Sequence, residues 1–181
     1  MPRSLTAIIM IVCGFIVIPP LIHKLFPPGL PIAALHVHET PRRLAEFKFY
    51  DDTGRNLTLD HFRHTFILLN VWATWCPPCK EEITSLNHLA SLFATKDLRI
   101  IPISVDVSGA SEVRYFYKKM GLKRLPIYID PSQNAMHALA VSGIPTTLLI
   151  NRDGLEIGRL VGAAQWDAPA IVKRIAKIVK Q

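Results

Sequence analysis

One stretch constrains what this 181-residue chain can fold into. Phe66-Ile67-Leu68-Leu69-Asn70-Val71-Trp72 is a nearly unbroken apolar run, the pattern of a strand buried on both faces. Beyond Cys76-Pro77-Pro78-Cys79, the apolar residues Ile83, Leu86, Leu89, Ala90 and Phe93 recur at helical spacing. A Cys-x-x-Cys pair therefore stands where a central strand ends and a helix begins. Unpaired N–H groups and the positive end of the helix dipole favour a thiolate there. Pro77 suits a first helical turn, which needs no N–H. Two thiols this close can form a small disulfide ring and exchange it with another disulfide.

The rest of the chain alternates strand and helix signals. Residues 47–50 and 55–59 flank Asp51-Asp52-Thr53-Gly54 and predict a hairpin, and Asp60 opens a short helical turn to Phe62. A helix is expected over 77–94 and a buried strand over 98–106. Ser111 is expected to cap a helix ending at Gly121, with Val113, Phe116, Tyr117 and Met120 on one face. A short strand over 127–129 and a helix over 132–141 follow. Then come a strand over 146–150, a turn at Asn151-Arg152-Asp153-Gly154, a return strand over 155–161 and a last helix over 167–179. Lys173, Arg174, Lys177 and Lys180 line the wet face of that helix and suit its dipole. This order predicts an α/β sandwich with a mixed sheet.

Leu5 to Ile22 is a run of 18 residues without a charge, broken only by Pro19-Pro20, and is long enough to cross a bilayer. A Pro-rich stretch intervenes before the small pair Ala33-Ala34, which favours an uncleaved anchor over a signal peptide. The expected organisation is a membrane anchor over 1–22, an extended linker over 23–44 and a folded domain over 45–181. His36 and His38 fall in the linker and read as solvated. The dithiol domain is expected outside the cytoplasm, where disulfides persist. Three cysteines, one of them Cys13 within the apolar run, cannot build a disulfide scaffold. The formal net charge of +7 is spread along the chain with no aromatic-basic repeat, so no nucleic-acid partner is expected.

The chemistry follows from position. Cys76, just before the helix where the chain is expected to be most exposed, is the attacking sulfur. Cys79, nearly a turn in, faces the core and resolves the mixed disulfide. The rival is a zinc or copper carrier using these cysteines and the linker histidines, although a structural zinc site needs two further ligands at suitable spacing. His61 and His64 are the other tempting pair. Glu82 shares a helix face with Cys79. Buried, it would gain proton affinity and relay protons to Cys79; exposed, it would only meet the helix dipole. Pro145 opens a central strand, either through a cis bond to Ile144 that offers backbone hydrogen bonds to a client segment, or as an ordinary trans proline.

The stretch from Leu69 to Glu82, with Ser142-Gly143-Ile144-Pro145-Thr146-Thr147 and Asn151-Arg152-Asp153-Gly154, resembles the TlpA/ResA-like thioredoxin-fold oxidoreductases. These are membrane-anchored, extracytoplasmic thiol-disulfide proteins of bacteria. The resemblance spans about residues 45–181. It implies a thioredoxin-like fold with an N-terminal hairpin and a helix-strand unit inserted near 109–129, preceded by one transmembrane helix. It also implies Cys76 as nucleophile, Cys79 as resolving thiol, Glu82 as the active-site glutamate and Pro145 as a cis-proline. Trp75, Pro77, Ile144 and Pro145 are the expected client-binding residues, with no cofactor and no metal. The implied setting is a bacterial inner membrane with a periplasmic catalytic domain. Client disulfides would be reduced there, in apocytochrome c or copper-site cysteines, and a membrane electron donor would restore the dithiol. A disulfide-donating oxidant is the other direction of the same chemistry. Asn70 stands where thioredoxin has a buried aspartate, which shifts acid-base work to Glu82. Ala73 occupies the place where a thiol peroxidase usually has threonine.

Overall fold

The computed structural model describes residues 35–93 and 97–180. At its centre is β4 (Phe66–Trp72), all seven residues of which are buried. It runs parallel to β5 (Leu98–Ser104) and antiparallel to β7 (Thr146–Ile150). Strands on both edges and side chains on both faces leave it no solvated side, which is why its sequence lacks a polar alternation. Helix α1 (Pro77–Leu92) connects β4 to β5 and buries Ile83, Leu86 and Leu89 against the sheet. Each such side chain contributes about 1.5–3 kcal/mol of burial energy.

Beyond β5, α2 (Ala110–Met120) leads to β6 (Tyr128–Ile129), which pairs parallel with β5. β6 in turn pairs antiparallel with β2 (Phe49–Asp51), and β2 with β3 (Asn56–Leu57). The inserted helix-strand unit thus joins the N-terminal hairpin to the sheet. A short helix α3 (Asn134–Ala138) precedes β7, and β8 (Glu156–Val161) and α4 (Pro169–Val179) complete the chain. With β1 (His36–Arg42) on β8, the strand order is β1-β8-β7-β4-β5-β6-β2-β3. The mixed sheet flanked by helices is the expected α/β architecture.

Several expectations need correcting. The chain enters the sheet before residue 45: His36–Arg42, expected in the linker, is an edge strand. Pro41 and its mostly exposed side chains, normal for an edge, hide it from a periodicity reading. His38 is accordingly not solvated; its side chain is 5% exposed and its Nε2 lies 2.9 Å from Glu156 Oε1. Gly158 makes the docking of β1 possible, since a Cβ there would stand 2.9 Å from the His36 carbonyl oxygen. Ser111 does not cap α2. Gly109, with φ of 72°, precedes the helix, and the Ser111 hydroxyl donates to the Ser108 carbonyl. Met120 lies 43% exposed. The helix expected over 132–141 is only Asn134–Ala138, bounded by the left-handed residues Gln133 and Ala140. There the Asp130 carboxylate takes the Ala135 N–H and ties down the chain entering it.

The expected anchor over 5–22, Cys13 and the linker up to residue 34 lie outside the described residues. Among the described residues, no helix is long and apolar enough to cross a membrane.

Candidate active site

The two tryptophans of Trp72-Ala73-Thr74-Trp75 have opposite surroundings. Trp72 is fully buried, its ring against Phe116 and Tyr117 of α2, while Trp75 is 62% exposed. The turn between them is fastened from below. Asp106, just past β5, accepts the Thr74 backbone N–H at 2.9 Å and the Thr74 hydroxyl at 2.7 Å. The Ser104 hydroxyl adds a third bond to the same carboxylate at 2.6 Å. All four groups belong to buried residues, so the loop delivering Cys76 to the helix has one well-defined path.

Cys76 and Cys79 form a disulfide with an S–S distance of 2.07 Å. Cys76 is the N-cap of α1, and its Sγ accepts the Cys79 backbone N–H at 3.3 Å. That donor and the helix dipole will favour negative charge on Sγ once the bond is reduced. The expectation that Cys76 is open to solvent needs correcting, for in the disulfide Cys76 is 3% exposed and Cys79 0%. The Ile144 carbonyl oxygen lies 3.7 Å from Cys76 Sγ. The Ile144–Pro145 bond is cis, and the Pro145 carbonyl is occupied by the Gly162 N–H at 2.9 Å. Ile144 is half-buried and Pro145 buried, whereas Trp75 and Pro77 on the other side of Cys76 are exposed.

Glu82 lies within the core, 2% exposed, while Glu81 faces solvent. Its Oε1 accepts from the indole N–H of Trp166 and from the Thr147 hydroxyl at 3.4 Å. Its Oε2 is buried without a partner. Asn70 Nδ2 donates to Thr147 Oγ1 at 2.9 Å, completing a polar cluster among β4, α1, β7 and the chain after β8. Burial pushes the Glu82 carboxyl up to about 7, against the restraint of the bonds from Trp166 and Thr147. A carboxyl poised there exchanges its proton readily at neutral pH.

Sequence reasoning did not single out Asp106, Thr147 or Trp166. Trp166 carried the one usable signal, since a buried tryptophan in a polar connection needs an acceptor for its N–H. Among the described residues no group of three or more His, Cys, Asp or Glu is placed to hold a metal ion. The rings of His36 and His38 lie 5.8 Å apart, with His38 already engaged by Glu156.

Comparison with known proteins agrees with this site. The model of the AhpC/TSA family matches residues 41–155. Thiol-disulfide oxidoreductase ResA of Bacillus thuringiensis (strain Al Hakam) is 31% identical over 116 residues, covering 64% of this chain and 66% of that protein. The chain thus spans just under two thirds of that relative. ResA of Bacillus thuringiensis subsp. konkukian is 31% identical over 124 residues, covering 68% and 70%. The crystal structure of StoA from Bacillus subtilis superposes with a TM-score of 0.60 at 21% identity, covering 78% of this chain and 100% of that one, which shows the shared thioredoxin-like fold. The match across 41–155, with a ResA relative 31% identical and covered over 70% of its length, places the chain in the AhpC/TSA family, among its ResA-like members.

Proposed function

We propose that this chain is a membrane-tethered, extracytoplasmic oxidoreductase that reduces disulfides in protein clients. The observation that carries the reading is the Cys76–Cys79 disulfide at the start of α1, with Cys76 Sγ capped by the Cys79 N–H and facing the Ile144 carbonyl. In the reduced form the Cys76 thiolate attacks one sulfur of a client disulfide, and the other client sulfur leaves with the electron pair and takes a proton. Glu82 then accepts the Cys79 proton, and the Cys79 thiolate attacks Cys76 Sγ. The second client thiol is released, and two electrons have passed from the dithiol to the client.

Apolar residues 5–22 support a tether in the bacterial inner membrane with the domain in the periplasm. Cysteines of apocytochrome c or of copper sites are the proposed clients, with a membrane electron donor restoring the dithiol. The test is release of thiols from a disulfide-bonded protein by the reduced full chain, measured by alkylation and mass. Stoichiometric release that Cys76→Ser abolishes supports the reading. No release from protein or small-molecule disulfides overturns it.

A further inference from the structure

Three side chains of α1 at successive turns grip the connection between β8 and α4. Glu82 Oε1 takes the Trp166 indole N–H. Ser85 Oγ accepts the Trp166 backbone N–H at 3.0 Å and lies 3.3 Å from the Ala164 carbonyl oxygen. His88 Nδ1 lies 2.8 Å from Asp167 Oδ2. Trp166 is fully buried and held by both backbone and side chain, so its indole is a fixed donor rather than an adaptable one.

An indole N–H can only donate, whereas a threonine hydroxyl can turn to accept. A proton on Oε1 of Glu82 would therefore have to turn Thr147 from donor to acceptor and would leave Oε1 a poorer acceptor for the Trp166 N–H, which cannot yield. Oε2, buried and unpartnered, has its lone pairs free. We propose that Trp166 is a positioning residue of the exchange reaction: it fixes Oε1 of Glu82 as an acceptor and leaves Oε2 as the oxygen that takes and returns the Cys79 proton. This rests on the oxidoreductase reading above. It adds to that reading an assignment of the two carboxylate oxygens and a residue, remote in sequence, that enforces it. The Cys79 S–H proton passes to Oε2, the Cys79 thiolate attacks the mixed disulfide, and the departing client thiolate is protonated from solvent or from Oε2.

The first test uses the full-length oxidised chain. Its three tryptophans, Trp72, Trp75 and Trp166, give three indole N–H signals by nitrogen-15 NMR. The Trp166 signal is expected to titrate with the Glu82 carboxyl, read by carbon-13, at a midpoint near 7. In Glu82→Gln it is expected not to titrate. Trp166→Phe keeps most of the packing and removes the donor. The Glu82 midpoint should then rise by about one pH unit, and the ionised fraction at pH 7 should fall about fivefold. The acid limb of the resolution rate should move by the same amount, whereas a merely structural loss would slow exchange equally at all pH values. A Trp166 signal that stays flat while Glu82 titrates overturns the proposal, even where Trp166→Phe fails to fold. So does an unmoved midpoint in that variant. Absence of exchange in the wild type would instead remove the oxidoreductase reading, and the NMR titration would still decide the contact.

Discussion

Thr74 is bound to Asp106 twice, through its backbone N–H at 2.9 Å and its hydroxyl at 2.7 Å. The pair ties the turn ahead of Cys76 to the end of β5. Asp106→Ala leaves a buried N–H and two hydroxyls without their acceptor, at an expected cost of about 2–4 kcal/mol. Exchange by Cys76 should slow as well, because the helix start loses its fixed position. Urea unfolding of the oxidised protein checks the first effect and client-disulfide reduction the second. A variant as stable and as fast as the wild type would remove the clamp from this account.

Glu82 makes stability depend on pH in an unusual direction for a carboxylate. The folded state holds its proton up to about pH 7, whereas an unfolded glutamate releases it near 4.5. Between those values the folded state binds more protons, so stability falls as pH rises. Glu82→Gln carries no such proton, and its advantage over the wild type should grow between pH 5 and pH 8, by up to about 3 kcal/mol. Denaturant unfolding of both oxidised proteins at the two pH values measures this. A gap that stays constant would mean that the carboxyl titrates normally.

The two cysteines should fail in different ways. Cys76→Ala removes the attacking sulfur, so the expected result is no reaction with a client disulfide. Cys79→Ala keeps the attack and loses the release, so a mixed disulfide through Cys76 should accumulate. Non-reducing gels and intact mass distinguish the outcomes, and accumulation in Cys76→Ala instead would reverse the assigned roles.

Gly158 gives β1 room to lie against β8. Gly158→Ala would place a Cβ 2.9 Å from the His36 carbonyl oxygen, a backbone atom that can yield only if the strand moves. The expected cost is about 1–3 kcal/mol, with faster amide hydrogen exchange confined to His36–Arg42. Unchanged exchange in that strand would show that it can shift without loss of pairing.

What was legible in the sequence was what rests on local pattern. The apolar run of β4, the helical spacing after Cys79 and the proline before β7 each state their environment within a few residues. They led to the mixed sheet and to the placement of the two cysteines. What was not legible depends on contacts between distant segments. β1 is a strand only because β8 offers it an edge and Gly158 offers it room. Cys76 is buried, and its Sγ faces the carbonyl of Ile144, 68 residues later in the chain. The state of Glu82 is set by Trp166 and Thr147, 84 and 65 residues away, and nothing in the first turn of a helix announces either partner.

The most direct test of the central claim is the reduction potential of Cys76–Cys79 in the full chain, titrated against glutathione or dithiothreitol and read by thiol alkylation. The account predicts one two-electron transition at or below about −250 mV, the range of a reductant that needs an electron supply. A potential near about −120 mV would make the protein a disulfide donor and reverse the direction of transfer. Failure of the pair to form an internal disulfide at any potential would contradict the account altogether.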